Sequence, residues 1–180
     1  GMMYTMEKLA KQPEQLSCDV VLCAAVDEEH EYRGLSEFLK LDMPIAGAVV
    51  GEPTELGIVV KHKGCLRFKV IVLGEAAHTS VPDEGVNAIL QMIEIIKTLC
   101  DTEEAETSRM SDPLCGRPTL TVSTIRGGQQ INIVPDRCEI EVDRRLIPGE
   151  DPEAVLAGIE RRLRSFAERR GIRMELETLL

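Results

Sequence analysis

From about Lys61 onward, two stretches with helical period are each flanked by stretches that alternate like strands, and this order constrains the fold more than any other feature of the chain. Leu66 to Leu73 begins in alternation, as a half-exposed strand does. Pro82 precedes a helix that carries Ala88, Ile89, Met92, Ile93, Ile96 and Leu99 on one face. Asp101 to Arg117 is polar, contains turn residues and reads as a loop. Thr119 to Ile125 is a strand, Gly127-Gly128 a turn, and Cys138 to Arg144 a strand with Cys138, Ile140 and Val142 on one side. Asp151 and Pro152 supply an N-cap and a first-turn proline for a helix that keeps Val155, Leu156, Ile159, Leu163 and Phe166 in period. Gly171 ends it, and Ile172 to Glu177 alternates again. The predicted order is β-α-β-β-α-β, the split βαβ or ferredoxin-like arrangement, with each helix covering one face of a four-stranded antiparallel sheet.

The first 60 residues use a different grammar. Met2 to Leu9 reads as a helix, with a pattern that can run on to about Gln15. Cys18 to Val26 is a near-continuous apolar run, as expected of a strand buried on both faces within a parallel sheet. Leu35 to Leu39 suggests a short helix and Ile45 to Val50 a second buried strand. Helix, strand, helix, strand is α/β organisation, and 60 residues are too few for a complete sheet of that kind. The expected domains are therefore a partial α/β catalytic-type domain over 1–60 and an α+β module over 61–172, with 173–180 ending that module and leading back toward the first.

Composition narrows the function classes. Asp plus Glu number 31 against 21 Lys plus Arg, a formal charge of −10, which argues against a nucleic-acid binder that must displace counterions from phosphates. Three Phe, two Tyr and no Trp leave few rings for stacking on bases. No apolar run approaches the ~20 residues that cross a bilayer, so no membrane role is expected. Of the six cysteines, no two form a Cys-x-x-Cys pair. Cys23, Cys65, Cys100 and Cys138 lie in apolar patterns, so the thiols are read as reduced and structural, in a cytoplasmic protein.

Several polar residues sit where chemistry is plausible, each with a plain alternative. Asp27-Glu28-Glu29 follows the first apolar run, and Glu52 follows the second within Gly51-Glu52-Pro53-Thr54. Carboxylates just past strand ends can bind a cation or take a proton from bound water, while acidic turns are also ordinary solvated loops. His78 lies between a strand and a helix among small neighbours that leave an imidazole accessible. Neither His30, expected to be exposed, nor His62 has that context. Asn132 follows a glycine turn, and Arg145 ends a strand where a guanidinium suits a substrate carboxylate.

In combination, these segments resemble the di-zinc aminoacylase and carboxypeptidase family of metallopeptidases that includes acetylornithine deacetylase, succinyl-diaminopimelate desuccinylase and carboxypeptidase G. The matching stretches are Asp27-Glu28-Glu29, Gly51 to Thr54, His62-Lys63-Gly64, Gly74 to Ala88, Gly127-Gly128, Asn132 to Asp136 and Asp143-Arg144-Arg145. Gly-Glu-Pro-Thr followed by His-Lys-Gly is most similar to the acetylornithine deacetylase branch. The resemblance implies metal-assisted removal of an acyl group from an N-acyl amino acid, with two zinc or cobalt ions in the intact parent. It makes Glu28 the general base and Glu29 and Glu52 metal ligands. It makes His78 an oxyanion donor in the partner subunit's site, with Asn132 and Arg145 holding substrate. It also implies a homodimer formed through the lid, the β-α-β-β-α-β part.

The chain departs from that family in one respect. No histidine is followed by x-Asp and none occurs after His78, so the family's metal-binding imidazoles have no counterpart here. Carboxylates alone make a poor zinc site. The expectation is a middle fragment that neither holds two metal ions tightly nor hydrolyses amides by itself. The competing expectation is a non-catalytic ferredoxin-like module that dimerises or binds a small ligand.

Overall fold

The computed structural model describes residues 1–29 and 32–179. His30 lies outside the described residues. The chain forms two compact units, Gly1–Ile58 and Val59–Leu180.

The first unit contains two helices, α1 (Met2–Ala10) and α2 (Arg33–Leu39), and a single 3-10 turn at Pro13–Gln15. The two apolar runs do not form strands: Cys18 to Val26 and Ile45 to Val50 carry no ladder, and none of the described residues of this unit is buried. A strand buried on both faces needs a hydrogen-bonded neighbour on each edge and a helix layer on each side, and the described residues of this unit form no ladder. Val21, Val26, Val49 and Val50 are consequently exposed. Among the described residues, the five non-glycine residues with left-handed backbone are here too, Asp27, Tyr32, Asp42, Glu55 and Leu56. For a bulky residue such as Leu56 that conformation is strained.

The second unit is a layer of two helices on a sheet. Its strands are β1 (Gly64–Leu73), β2 (Thr119–Gly127), β3 (Arg137–Leu146) and β4 (Arg173–Thr178), and its helices are α3 (Ala88–Thr107) and α4 (Pro152–Arg170). The order is β-α-β-β-α-β as the periodicity predicts, with strands arranged β2-β3-β1-β4 and every neighbouring pair antiparallel. Asp151 caps α4 by accepting the Glu153 N–H, Pro152 opens it, and Gly171 closes it in the left-handed conformation that glycine adopts without steric cost.

Both helices lie on the same face of the sheet rather than one on each. Their stripes meet Leu66, Phe68, Val70 and Val72 of β1 and Cys138, Ile140 and Val142 of β3 in one core. The opposite face pairs Arg67 with Asp143 and Lys69 with Glu141 across strands. The buried stripe of α3 is Ala88, Met92, Ile95 and Leu99, and Ile93 is exposed. Ile89 and Ile96 flank it, so the sheet selects one of two apolar stripes that both satisfy the helical period. The helix also runs on to Thr107 through residues that read as loop, because Glu103 is buried there. Arg144 of β3 and Arg162 of α4 hold the Glu103 carboxylate, and Glu150 pairs with Arg144 from the other side.

All six cysteines are free; of the four in apolar patterns Cys138 is buried and Cys65 half-buried, whereas Cys23 and Cys100 are exposed. Among the described residues no helix is long and apolar enough to cross a membrane.

Candidate functional site

Beyond the end of β1 the chain turns into a loop that zips against the segment preceding β3. Gly74 N–H donates to the Asp136 carbonyl at 2.8 Å, Val134 N–H to Ala77 at 2.8 Å, and Thr79 N–H to Asn132 at 3.1 Å. His78 and Ile133 form a bridge between the two segments. Ala88 N–H donates to the Pro135 carbonyl at 2.8 Å, and the Asn87 side chain caps α3 by accepting from Ile89 and Leu90. The glycine at 74 is required by this closeness, since a Cβ there would land on the Val86 carbonyl.

His78 and Asn132 are therefore neighbours at one end of the sheet, both exposed. A shallow cavity of about 640 Å³ lies beside them, walled by Thr79, Pro82, Ile89, Gly128, Ile131 and Pro135. The His78 Nδ1 lies 2.7 Å from Ser80 Oγ and accepts the Ser80 N–H at 3.1 Å.

Arg145 is not part of this group. It pairs with Cys65, whereas the His78 loop leaves the sheet after Leu73, which pairs with Arg137. Eight residues of strand separate the two ends, about 26 Å at ~3.3 Å per residue. Arg145 Nε lies 2.7 Å from Asp143, whose other oxygen accepts from Arg67 at 3.1 Å. Burial pushes the Asp143 carboxyl up, but the Arg67 hydrogen bond and the Arg145 charge outweigh it and hold the carboxyl below its ordinary range. Burial and the adjacent Asp143 push the Cys65 thiol up, which makes it a poor nucleophile.

In the first unit, Glu28 and Glu29 lie in a turn and are exposed, as is Glu52. Asp27, which opens the turn, pairs with Arg33 at 2.7 Å. Among the described residues no three His, Cys, Asp or Glu side chains are placed to hold a metal ion. Glu28, Glu29 and Glu52 thus do not converge into a ligand set, and the donors offered are carboxylates without imidazole. That set does not by itself make a zinc or cobalt centre.

Sequence reasoning missed two residues of this region. Ser80, two positions after His78, and Asp143, two before Arg145, hold the side chains singled out above. Strand alternation puts residues i and i+2 on one face, which was enough to pair Asp143 with Arg145.

Residues 60–170 match the family model for the peptidase dimerisation domain of M20 peptidases. The chain belongs to the M20 peptidase family. Curated M20 relatives include the acetylornithine deacetylase of Buchnera aphidicola subsp. Acyrthosiphon pisum (strain Tuc7), 30% identical over 142 residues, 76% of this chain and 36% of that protein. A probable carboxypeptidase of Aspergillus flavus is 32% identical over 164 residues, 87% of this chain and 38% of that protein. The M20 chain described here thus spans a little over a third of the length of these relatives. Its fold is shared with an aminobenzoyl-glutamate utilization protein from Klebsiella pneumoniae, with a TM-score of 0.50 and 20% identity over 68% of this chain and 32% of that one. A candidate aminohydrolase from methicillin-resistant Staphylococcus aureus gives 0.57 and 23% over 66% and 29%.

Proposed function

We propose that this chain is part of a cytoplasmic, metal-dependent amidohydrolase that removes the acyl group from an N-acyl amino acid, most like acetylornithine deacetylase. In this reading residues 1–60 belong to the catalytic domain, 61–172 form a ferredoxin-like lid and dimerisation domain, and 173–180 end the lid and return toward the catalytic domain. The observation that carries the reading is the joining of His78 and Asn132 at one end of the sheet with Arg145 at the other. A single lid cannot bring all three to one substrate. Two lids related by a two-fold axis can, with His78 and Asn132 reaching the site of the partner copy and Arg145 serving its own.

The roles are those the family resemblance implies, and side-chain chemistry suits each. Arg145 pairs with the substrate carboxylate, Asn132 hydrogen-bonds the substrate, and His78 donates to the oxyanion of the tetrahedral intermediate. Glu28 takes the proton of the attacking water and returns it to the leaving amine. Glu29 and Glu52 would add carboxylate ligands to a zinc or cobalt centre that imidazole donors elsewhere in the longer enzyme would have to complete. Such a metal, when bound, would lower the pKa of water and polarise the carbonyl. The chain alone, offering carboxylates without imidazole, is inactive.

The test is subunit complementation in the longer enzyme. Glu28→Gln and His78→Gln homodimers should each lose turnover of N-acyl amino acids, and mixing and refolding the two should restore part of it. A mixture as inactive as its components would overturn the shared site. Full turnover by the Glu28→Gln variant would remove Glu28 as the base.

A further inference from the structure

The two ring nitrogens of His78 have different surroundings. Nδ1 accepts the Ser80 N–H at 3.1 Å and lies 2.7 Å from the Ser80 hydroxyl. A backbone N–H is a donor only, so the nitrogen that receives it carries a lone pair and no proton. The hydroxyl, which is free to rotate, then donates to the same nitrogen. The proton of the neutral ring is left on Nε2, which has no hydrogen-bond partner among the described residues.

The turn enforces this arrangement. Val81 N–H donates to the His78 carbonyl at 2.9 Å, closing a four-residue turn in which Ser80 stands third. Its N–H points back at the side chain of the first residue, as in an Asx turn. Pairing of Ala77 and Thr79 with Val134 and Asn132 holds the entrance of the turn in place. His62 shows the opposite case: its Nδ1 lies 3.0 Å from the Lys63 carbonyl, an acceptor, and so bears the proton.

We infer that Ser80 is a positioning residue that holds His78 as the neutral Nε2–H tautomer and presents that N–H as a donor to a carbonyl oxygen gaining negative charge. The inference deepens the reading of His78 as the oxyanion donor and rests on it. A donor at Nε2 stabilises developing negative charge, whereas a bare Nε2 would act as a base.

The experiment is two-bond ¹H–¹⁵N correlation on the ¹⁵N-histidine-labelled 180-residue protein, about two units above the ordinary imidazole pKa of ~6.5. The His78 signals are assigned by their loss in His78→Gln. Nδ1 should show the shift of an unprotonated nitrogen and Nε2 that of a protonated one. Ser80→Ala keeps the N–H and should keep the tautomer. Lactic acid at position 80, incorporated as the hydroxy-acid counterpart of alanine, replaces that N–H with an ester oxygen. Relative to Ser80→Ala, it should move the ratio toward Nδ1–H by about fivefold, the worth of one hydrogen bond of about 1 kcal/mol. A protonated Nδ1 in the unaltered protein overturns the inference whatever the variants do, and so does an ester whose ratio equals that of Ser80→Ala. Normal turnover by His78→Gln in the longer enzyme would instead remove the oxyanion role and leave the tautomer result standing.

Discussion

Arg145 Nε lies 2.7 Å from Asp143 Oδ1, two residues back on the same face of β3. A guanidinium gripped through Nε keeps its two Nη groups in a fixed plane, the fork that pairs with a carboxylate through two parallel bonds. Asp143→Asn weakens that grip without removing the fork. In the longer enzyme it should raise KM for an N-acyl amino acid about tenfold, equivalent to ~1.4 kcal/mol, with kcat little changed. Steady-state kinetics with separate kcat and KM tests this, and an unaltered KM would show that Asp143 does not orient Arg145.

Acid stability should report on Asp112. Hydrogen bonds from Lys61 and from the backbone N–H groups of Cys115 and Leu114 bring its carboxyl down to about 2. An unfolded Asp titrates near ~3.9, so between those values the unfolded chain binds more protons than the folded one. The stabilisation is therefore present above pH ~4 and is lost as the pH falls toward ~2. Asp112→Asn should flatten the dependence of Tm on pH within that window and lower Tm by a constant amount above it. Thermal denaturation followed by circular dichroism at a series of pH values checks the slope.

The β-α-β-β-α-β order was legible because each element of the second unit buries one face and so leaves a period in the sequence. The end of α3 was not. Glu103 looks like loop composition, and its burial depends on Arg144 and Arg162, partners 41 and 59 residues away. The stripe of α3 was ambiguous because Ile93 and Ile95 both fit the period and only the sheet chooses between them. In the first unit, Cys18 to Val26 has the composition of a buried strand but pairs in no ladder and is not buried, and composition cannot show whether strand partners exist. His78, Asn132 and Arg145 were each visible as residue types. Their division between two ends of the sheet needed the register of β1 with β3.

The Arg144 network should be costly to break from one side. The Arg144 side chain is 2% exposed and meets Glu103 at 2.9 Å and Glu150 at 2.8 Å. Arg144→Ala leaves Glu150 without its cation in a desolvated position and Glu103 with Arg162 alone. The expected destabilisation is about 3–5 kcal/mol, read from the urea midpoint at unchanged m. Replacing Arg144, Glu103 and Glu150 together by apolar residues of similar volume should cost far less.

Residues 1–58 contribute no described buried side chain, so removing them should leave the melting of the remainder nearly unaltered. The 59–180 polypeptide is expected to unfold cooperatively within about 4 °C of the whole chain, a difference worth about 1 kcal/mol or less. It should also bind less of a hydrophobic dye, because Val21, Val49 and Val50 are gone. A loss of cooperativity in the shorter polypeptide would show that the first unit contributes to the core.

Two glycine substitutions separate steric necessity from backbone preference. At Gly116, φ is +69° and a Cβ would meet nothing within 4 Å, so Gly116→Ala carries only the left-handed penalty of about 1 kcal/mol. At Gly74 the φ is not left-handed, but a Cβ would collide with the Val86 carbonyl and crowd the Ala88 N–H at 3.0 Å and the Pro135 carbonyl at 3.1 Å. Those are backbone atoms of the pairing that seats the His78 loop, and none can move without breaking it. Gly74→Ala should therefore cost more than about 3 kcal/mol, in the range of severe overpacking, and should displace the His78 signals in the histidine spectrum. Gly116→Ala should leave those signals in place. Equal losses of stability for the two variants would mean that the loop and the segment before β3 are not packed as described.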